Sequence, residues 1–280
     1  MVDRRSAIGG QENQAEFGVV KREGTFLSEG LALKYGLFTP DREPTQGTGT
    51  ILTFHGAATA GGRGRVLFEA LQSRLAREGY SSFTFDTRGV GESEGQFVDS
   101  TLGKRVIDAQ NSLDFLSQNE PAISENVILV GLSMGGHIAA RLAGNDPERF
   151  RALVLVNPAA YAVEAEDKKL APTMEFSDVI RREGSWRTSR AFGDIKNFPG
   201  QILFADSEFD DVIPGELKQE YYKAAASRDL MRHMQIVELR GIKHAFFTLD
   251  NQEAVVAREF LYKEIAAFAW RNFTRDNPGM

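Results

Sequence analysis

Two short stretches of the chain set a serine between glycines: GESEG at residues 91–95 and GLSMG at residues 131–135. Gly-x-Ser-x-Gly is the pattern of a serine held on a tight turn, ready for nucleophilic attack. Glycine and serine are common turn residues, so the pattern alone does not choose between the two. Ser133 follows the β-branched run NVILVG (126–131) and precedes the apolar segment HIAARLAG. That is the strand, turn and helix order a nucleophile elbow requires, with a helix N-terminus facing the reacting centre. Ser93 is bracketed by Glu92 and Glu94, whose charges oppose an oxyanion, and no helical pattern follows it directly. It reads as a turn residue, and Asp86 and Arg88 nearby as an ion pair shaping the same loop.

A serine hydroxyl is a weak nucleophile until a base accepts its proton, and the base needs an acid to orient it. The chain has four histidines, His55, His137, His233 and His244. His244 lies in LRGIKHAFF, directly beyond the last strand-like run, where a parallel sheet places its site. The other three read as structural or solvent-facing. For the acid, ILFADSEFDDVIP supplies Asp206, Glu208, Asp210 and Asp211 just past another run. Asp210 is favoured and Asp211 is second.

These residues need elements to hold them. Apolar, β-branched or aromatic runs alternate with amphipathic segments from about residue 50, the pattern of βα units feeding a parallel sheet. Strands are expected at 50–55, 81–86, 126–131, 151–157, 201–206 and 234–239. Helices are expected at 65–78, 101–118 and 134–144, the second from Leu102, Val106, Ala109, Leu113 and Leu116 recurring every three or four residues. Pro214 suits the first turn of another helix, and Asp250 with Glu253 resembles a capping box opening the last one. The stretch FGVVKREGTFLSEGLALKYGLFTP reads as strands joined by glycine-bearing turns, an antiparallel edge to the sheet. The fold class is therefore α/β, a mostly parallel sheet flanked by helices, with residues 1–280 expected as one domain. Residues 159–198 hold two of the strands much further apart than an ordinary αβ loop does, and a small helical lid is expected there.

Composition narrows the partners. The net charge of −6 argues against a polyanion, so no nucleic acid is expected. With no cysteine, disulfides, thiol nucleophiles and thiolate metal sites are excluded. No metal and no cofactor is expected. Nothing approaches the roughly 18 apolar residues of a membrane span, and the opening lacks a signal-peptide run; a cytoplasmic protein is expected.

Ser133, Asp210 and His244 follow one another in the order described for α/β-hydrolases. Over about residues 48–272 the chain resembles that superfamily: FHG for the oxyanion strand, DTRGVGES for the next loop, GLSMGG for the elbow, DDVIP for the acid loop and KHAFF for the histidine loop. The resemblance selects Asp210, two residues before a pair of aliphatics and ahead of the proline. It is closest to lid-bearing serine esterases, among them cinnamoyl esterases and monoacylglycerol-lipase-like enzymes. It implies a serine hydrolase acting on a small-molecule ester or thioester, free or carrier-bound. The same three residues serve acyltransferases, carbon–carbon bond hydrolases and perhydrolases, and the fold also serves binding proteins. The oxyanion donors expected are the backbone N–H groups of Ala57 and Met134. Trp186, in the expected lid, and Phe247, beside the base, are the expected acyl contacts.

Overall fold

The runs rich in Val, Ile, Leu and Phe become strands because a pleated sheet covered on both faces accepts apolar side chains at every position. The computed structural model describes residues 17–42, 49–57, 64–171, 175–227 and 234–274. Its eight strands are β1 (Val19–Ser28), β2 (Leu31–Pro40), β3 (Thr50–Phe54), β4 (Ser81–Phe85), β5 (Val127–Leu132), β6 (Phe150–Val156), β7 (Gln201–Phe209) and β8 (Met234–Lys243). They form one sheet in the order β1-β2-β4-β3-β5-β6-β7-β8. β1 and β2 are antiparallel to each other, and β2 to β4; the remaining pairs are parallel. Every residue of β3, β4 and β5 is buried.

The helices are α1 (Glu69–Arg77), α2 (Leu102–Asn119), the single turn α3 (Pro121–Ser124), α4 (Met134–Asn145), α5 (Glu175–Ile180), α6 (Arg190–Asn197), α7 (Gly215–Ala226) and α8 (Gln252–Phe273). Leu71 and Leu75 of α1 join Leu261 and Ile265 of α8 in one apolar layer. Leu113 of α2, Ile138 of α4, Ile195 of α6 and Leu217 of α7 belong to a second. β3 lies between β4 and β5, so the chain runs outward from β3 on both sides. Such a reversal opens a crevice at the carboxyl ends of the strands. Phe54 of β3 pairs in register with Gly131 of β5, which brings the segments just past both strands level with each other.

Four local details differ from expectation. Pro214 is the residue before α7, with ψ of 143°, outside the helical region. The cap of α8 is Asn251, whose side chain accepts from the N–H of Ala254 at 2.9 Å; the helix starts one residue later than the Asp250 and Glu253 pattern implied. Asp86 and Arg88 do not pair with each other. Asp86 meets Arg65 at 3.3 Å, while Arg88 meets Asp108 at 2.6 Å and Glu29 at 2.8 Å. Finally, the stretch 159–198 includes α6, whose Ala191 and Ile195 lie in the flanking apolar layer. A parallel connection from β6 to β7 needs such a crossover helix. The described residues left over, 159–171 and 175–189, carry α5 and two short 3-10 turns.

Candidate active site

Ser133 stands between β5 and α4 at φ 54° and ψ −116°, a left-handed conformation that costs a non-glycine residue roughly 1–3 kcal/mol. The neighbouring backbone holds it there: its N–H donates to Val156 O at 2.9 Å, and its carbonyl accepts from Gly136 and Ala159. Glycine is required where helix and strands come together. A Cβ on Gly135 would lie 2.1 Å from Phe54 O, and one on Gly131 would lie 2.3 Å from Gly135 O. Gly56 faces the serine itself, with a hypothetical Cβ 3.3 Å from Ser133 Cβ.

His244 begins the 3-10 turn after β8, and its Nε2 lies 2.9 Å from Ser133 Oγ. Its Nδ1 lies 3.0 and 3.1 Å from the two carboxylate oxygens of Asp210. A carboxylate only accepts, so Nδ1 carries the proton and Nε2 is left to accept from the serine hydroxyl. Asp210 also accepts from the N–H groups of Val212 at 3.0 Å and Ile213 at 2.8 Å. Burial would raise its pKa, but the His244 and backbone hydrogen bonds outweigh burial and hold it down at about 2. Asp211 faces outward, 4.0 Å from Lys243. Behind the acid loop Asn157, itself at φ 43°, ties β6 to β7: its side chain accepts from the Ser207 N–H at 2.7 Å and donates to its hydroxyl at 2.8 Å.

A cavity of about 330 Å³ opens over Ser133 and His244. Ala57 and Gly56 line one side, and Leu67, Leu132, Ile213 and Phe247 make it apolar. Met134 is the first residue of α4, so its N–H is one of the donors the helix leaves unpaired. Phe247 both faces the cavity and packs on Phe68 at 5.7 Å. Trp186 is not among the lining residues. It docks on Phe192 at 6.1 Å, which rests on Tyr221 at 4.9 Å, and Arg187 covers its ring. Tyr161, which sequence reasoning did not single out, does line the cavity, edge-on to His137 at 5.1 Å. Its one signal was its place just past β6, at the carboxyl edge of the sheet. A larger groove of about 840 Å³ between β8 and α8 contains none of these groups.

The other polar candidates sit apart from this chemistry. Ser93 donates to Asp86 O and accepts from the Lys34 N–H, bracing its loop. His55 is buried; its Nδ1 donates to Gly56 O at 2.8 Å, and its Nε2 accepts from the Thr87 N–H at 3.3 Å. Burial, aided by the charge of Arg105, pushes its pKa down to about 4. His137 is fully buried with neither ring nitrogen paired, and burial pushes its pKa down to about 3. His233 and most of the glycine-rich ATAGGRG stretch lie outside the described residues. Among the described residues no three His, Asp or Glu side chains are grouped to hold a metal ion, and no helix is long and apolar enough to cross a membrane.

Comparison with known proteins finds likeness over parts of the chain and over its fold. A family model described as serine aminopeptidase, S33, matches residues 45–177, a stretch that holds Ser133 and ends before Asp210 and His244. Protein bem46 of Schizosaccharomyces pombe is 28% identical over 186 residues, covering 63% of this chain and 54% of its own length. The monoacylglycerol lipase of Mycolicibacterium smegmatis is 29% identical over 134 residues, covering 48% and 45%. The chain thus spans about half the length of these curated relatives. Among solved structures, Est1E from Butyrivibrio proteoclasticus with ferulic acid bound superposes with a TM-score of 0.63 at 19% identity, covering 87% of this chain and 99% of that one.

Proposed function

We propose that this chain, which is an α/β-hydrolase, cleaves carboxylic esters or thioesters through an acyl-enzyme on Ser133. The observation that carries the reading is the hydrogen-bonded file Asp210, His244, Ser133, with the serine on a strained elbow at the floor of an apolar cavity. His244 Nε2 takes the hydroxyl proton as Oγ attacks the carbonyl carbon, and Asp210 holds the ring in the tautomer that leaves Nε2 free. The oxyanion is received by the N–H groups of Met134 and Ala57, donors whose loss costs about 3–4 kcal/mol of transition-state stabilisation in comparable sites. The imidazolium then gives its proton to the leaving alcohol or thiol. Water, deprotonated by the same nitrogen, attacks the acyl-enzyme and releases the acid.

Size and polarity favour a short or aromatic acyl group, since the cavity is at the small end of the usual range for ligand sites. Ala159 and Tyr161 place the start of the β6–β7 insertion on the cavity wall. We assign the lid role to residues 159–189, leaving α6 as a crossover helix. The names of the relatives, a monoacylglycerol lipase and a palmitoyl-protein thioesterase among them, support ester or thioester substrates. The test is hydrolysis of nitrophenyl esters with short, long and aromatic acyl groups by the native chain and by Ser133→Ala. Serine-dependent turnover favouring short or aromatic groups is expected. Turnover that survives Ser133→Ala overturns the reading.

A further inference from the structure

Behind Asp210 the structure holds a second carboxylate and a lysine that the acyl-enzyme chemistry leaves unused. Lys218, on α7, has a side chain only 12% exposed. Its Nζ lies 3.4 Å from Asp210 Oδ2 and 3.7 Å from Asp206 Oδ1, and donates to Ser207 O at 3.2 Å. Asp206, at the end of β7's buried run, accepts from the Tyr222 hydroxyl, while its Oδ1 has no hydrogen-bond partner. One ammonium is therefore shared by two carboxylates, of which Asp210 also holds His244.

This arrangement has a consequence for the base. The Asp210 carboxylate stabilises a charged imidazole, and a cation 3.4 Å from its outer oxygen opposes that effect. Asp206, on the far side of the same cation, offsets it. We propose that Asp206 and Lys218 are a pair of positioning residues that set the proton affinity of His244 through Asp210, with opposite signs. The proposal rests on the preceding reading through its Asp210 and His244 pair.

Other groups around the pair are accounted for. From β7, Glu208 is exposed and accepts from the Gly241 N–H at 2.8 Å. From α7, Tyr222 is spent on Asp206. From β8, Glu238 is exposed and pairs with Arg240 at 3.5 Å, while Lys243 faces Asp211 at the surface. None of these charges contacts Asp210 as Lys218 does. Burial raises the Asp206 carboxyl above the ordinary range, and Tyr222 and Lys218 pull it back.

The test is an NMR pH titration of the His244 ring in the full chain, its signal assigned by comparison with His244→Asn. Asp206→Asn removes a negative charge and is expected to lower the titration midpoint. Lys218→Met removes a positive charge and is expected to raise it, each by about one pH unit, a tenfold change in proton affinity. The double variant is expected to return near the native midpoint, and Lys218→Arg to keep it. The acid limb of any ester hydrolysis should move with the ring. Single variants that leave the midpoint in place, or move it in the same direction, overturn the inference, because a packing role alters stability without opposite signs. Lack of turnover in a native chain that titrates as stated overturns the functional reading and leaves this one standing.

Discussion

Gly135→Ala isolates the claim that close backbone approach builds the site. The added Cβ would lie 2.1 Å from Phe54 O, 2.6 Å from Phe54 C and 2.7 Å from His55 O. All three are backbone atoms at the end of the central strand β3, so no side chain can swing aside. Ordinary contact needs about 1 Å more room, and helix α4 must retreat by that much from β3. Ser133 and Met134 lead into α4, and Ala57 follows β3, so the retreat widens the gap between the two proposed oxyanion donors. A misplacement of about 1 Å costs on the order of a hundredfold in rate, and overpacking costs about 1–3 kcal/mol of stability. For a chain of this size that lowers Tm by roughly 2–4 °C per kcal/mol. The assay is kcat/KM on a short nitrophenyl ester together with thermal melting followed by circular dichroism. Gly193→Ala is the control, because a Cβ there, in α6, meets nothing within 4 Å. It should leave the rate unchanged and raise stability by about 0.5–1 kcal/mol. Native rate and native Tm in Gly135→Ala would refute the reasoning.

Three further outcomes follow from the same structure. Asp210→Asn removes the carboxylate that fixes the His244 tautomer; kcat should fall by about 10⁴-fold with a native circular dichroism spectrum, and a fall of less than tenfold would contradict that role. His55 and His137 have folded pKa values depressed to about 4 and about 3 from the ordinary 6.5. Their contribution to stability is therefore intact above about pH 6.5 and is lost as pH falls toward those values, because the unfolded chain binds two protons that the native chain refuses. The slope from this pair is about 2.7 kcal/mol per pH unit in the middle of that window, and His137→Phe should reduce it by about half in urea unfolding at a series of pH values. Arg88→Met leaves Asp108, whose side chain is fully buried, without its guanidinium partner; a loss of about 3–5 kcal/mol is expected in urea unfolding, because Ser28, which donates to Asp108, and Asn111, which donates to Ser28, carry no charge to replace it.

The sheet was legible because strands covered on both faces are apolar at every position, and helices such as α2 repeat on one stripe. All six expected strands appear within a few residues of their predicted limits, and α2 within one. Ser133, Asp210 and His244, chosen for their places just past strand-like runs, also meet at hydrogen-bond distance, since parallel strands deliver their following loops to one edge of the sheet. Contacts made by folding were harder to read. Asp86 and Arg88 are two residues apart, yet each turns to a partner about twenty residues away, Arg65 and Asp108. Trp186 carries the right chemistry for an acyl contact, but Phe192 further along the chain captures its ring. Tyr161 reaches the cavity from the segment just past β6, and its place at that edge of the sheet was its one signal. The Lys218 and Asp206 pair needed α7 laid against β7, an approach that sequence spacing does not reveal.

The most direct test of the central claim is labelling of the native chain with a fluorophosphonate, followed by mass mapping of the modified peptide. Such a reagent phosphonylates a serine only when a neighbouring base has activated it. The account predicts a single adduct on Ser133, abolished in Ser133→Ala and slowed by orders of magnitude in His244→Asn. An unlabelled native chain, or an adduct on Ser93 or any other residue, would contradict it.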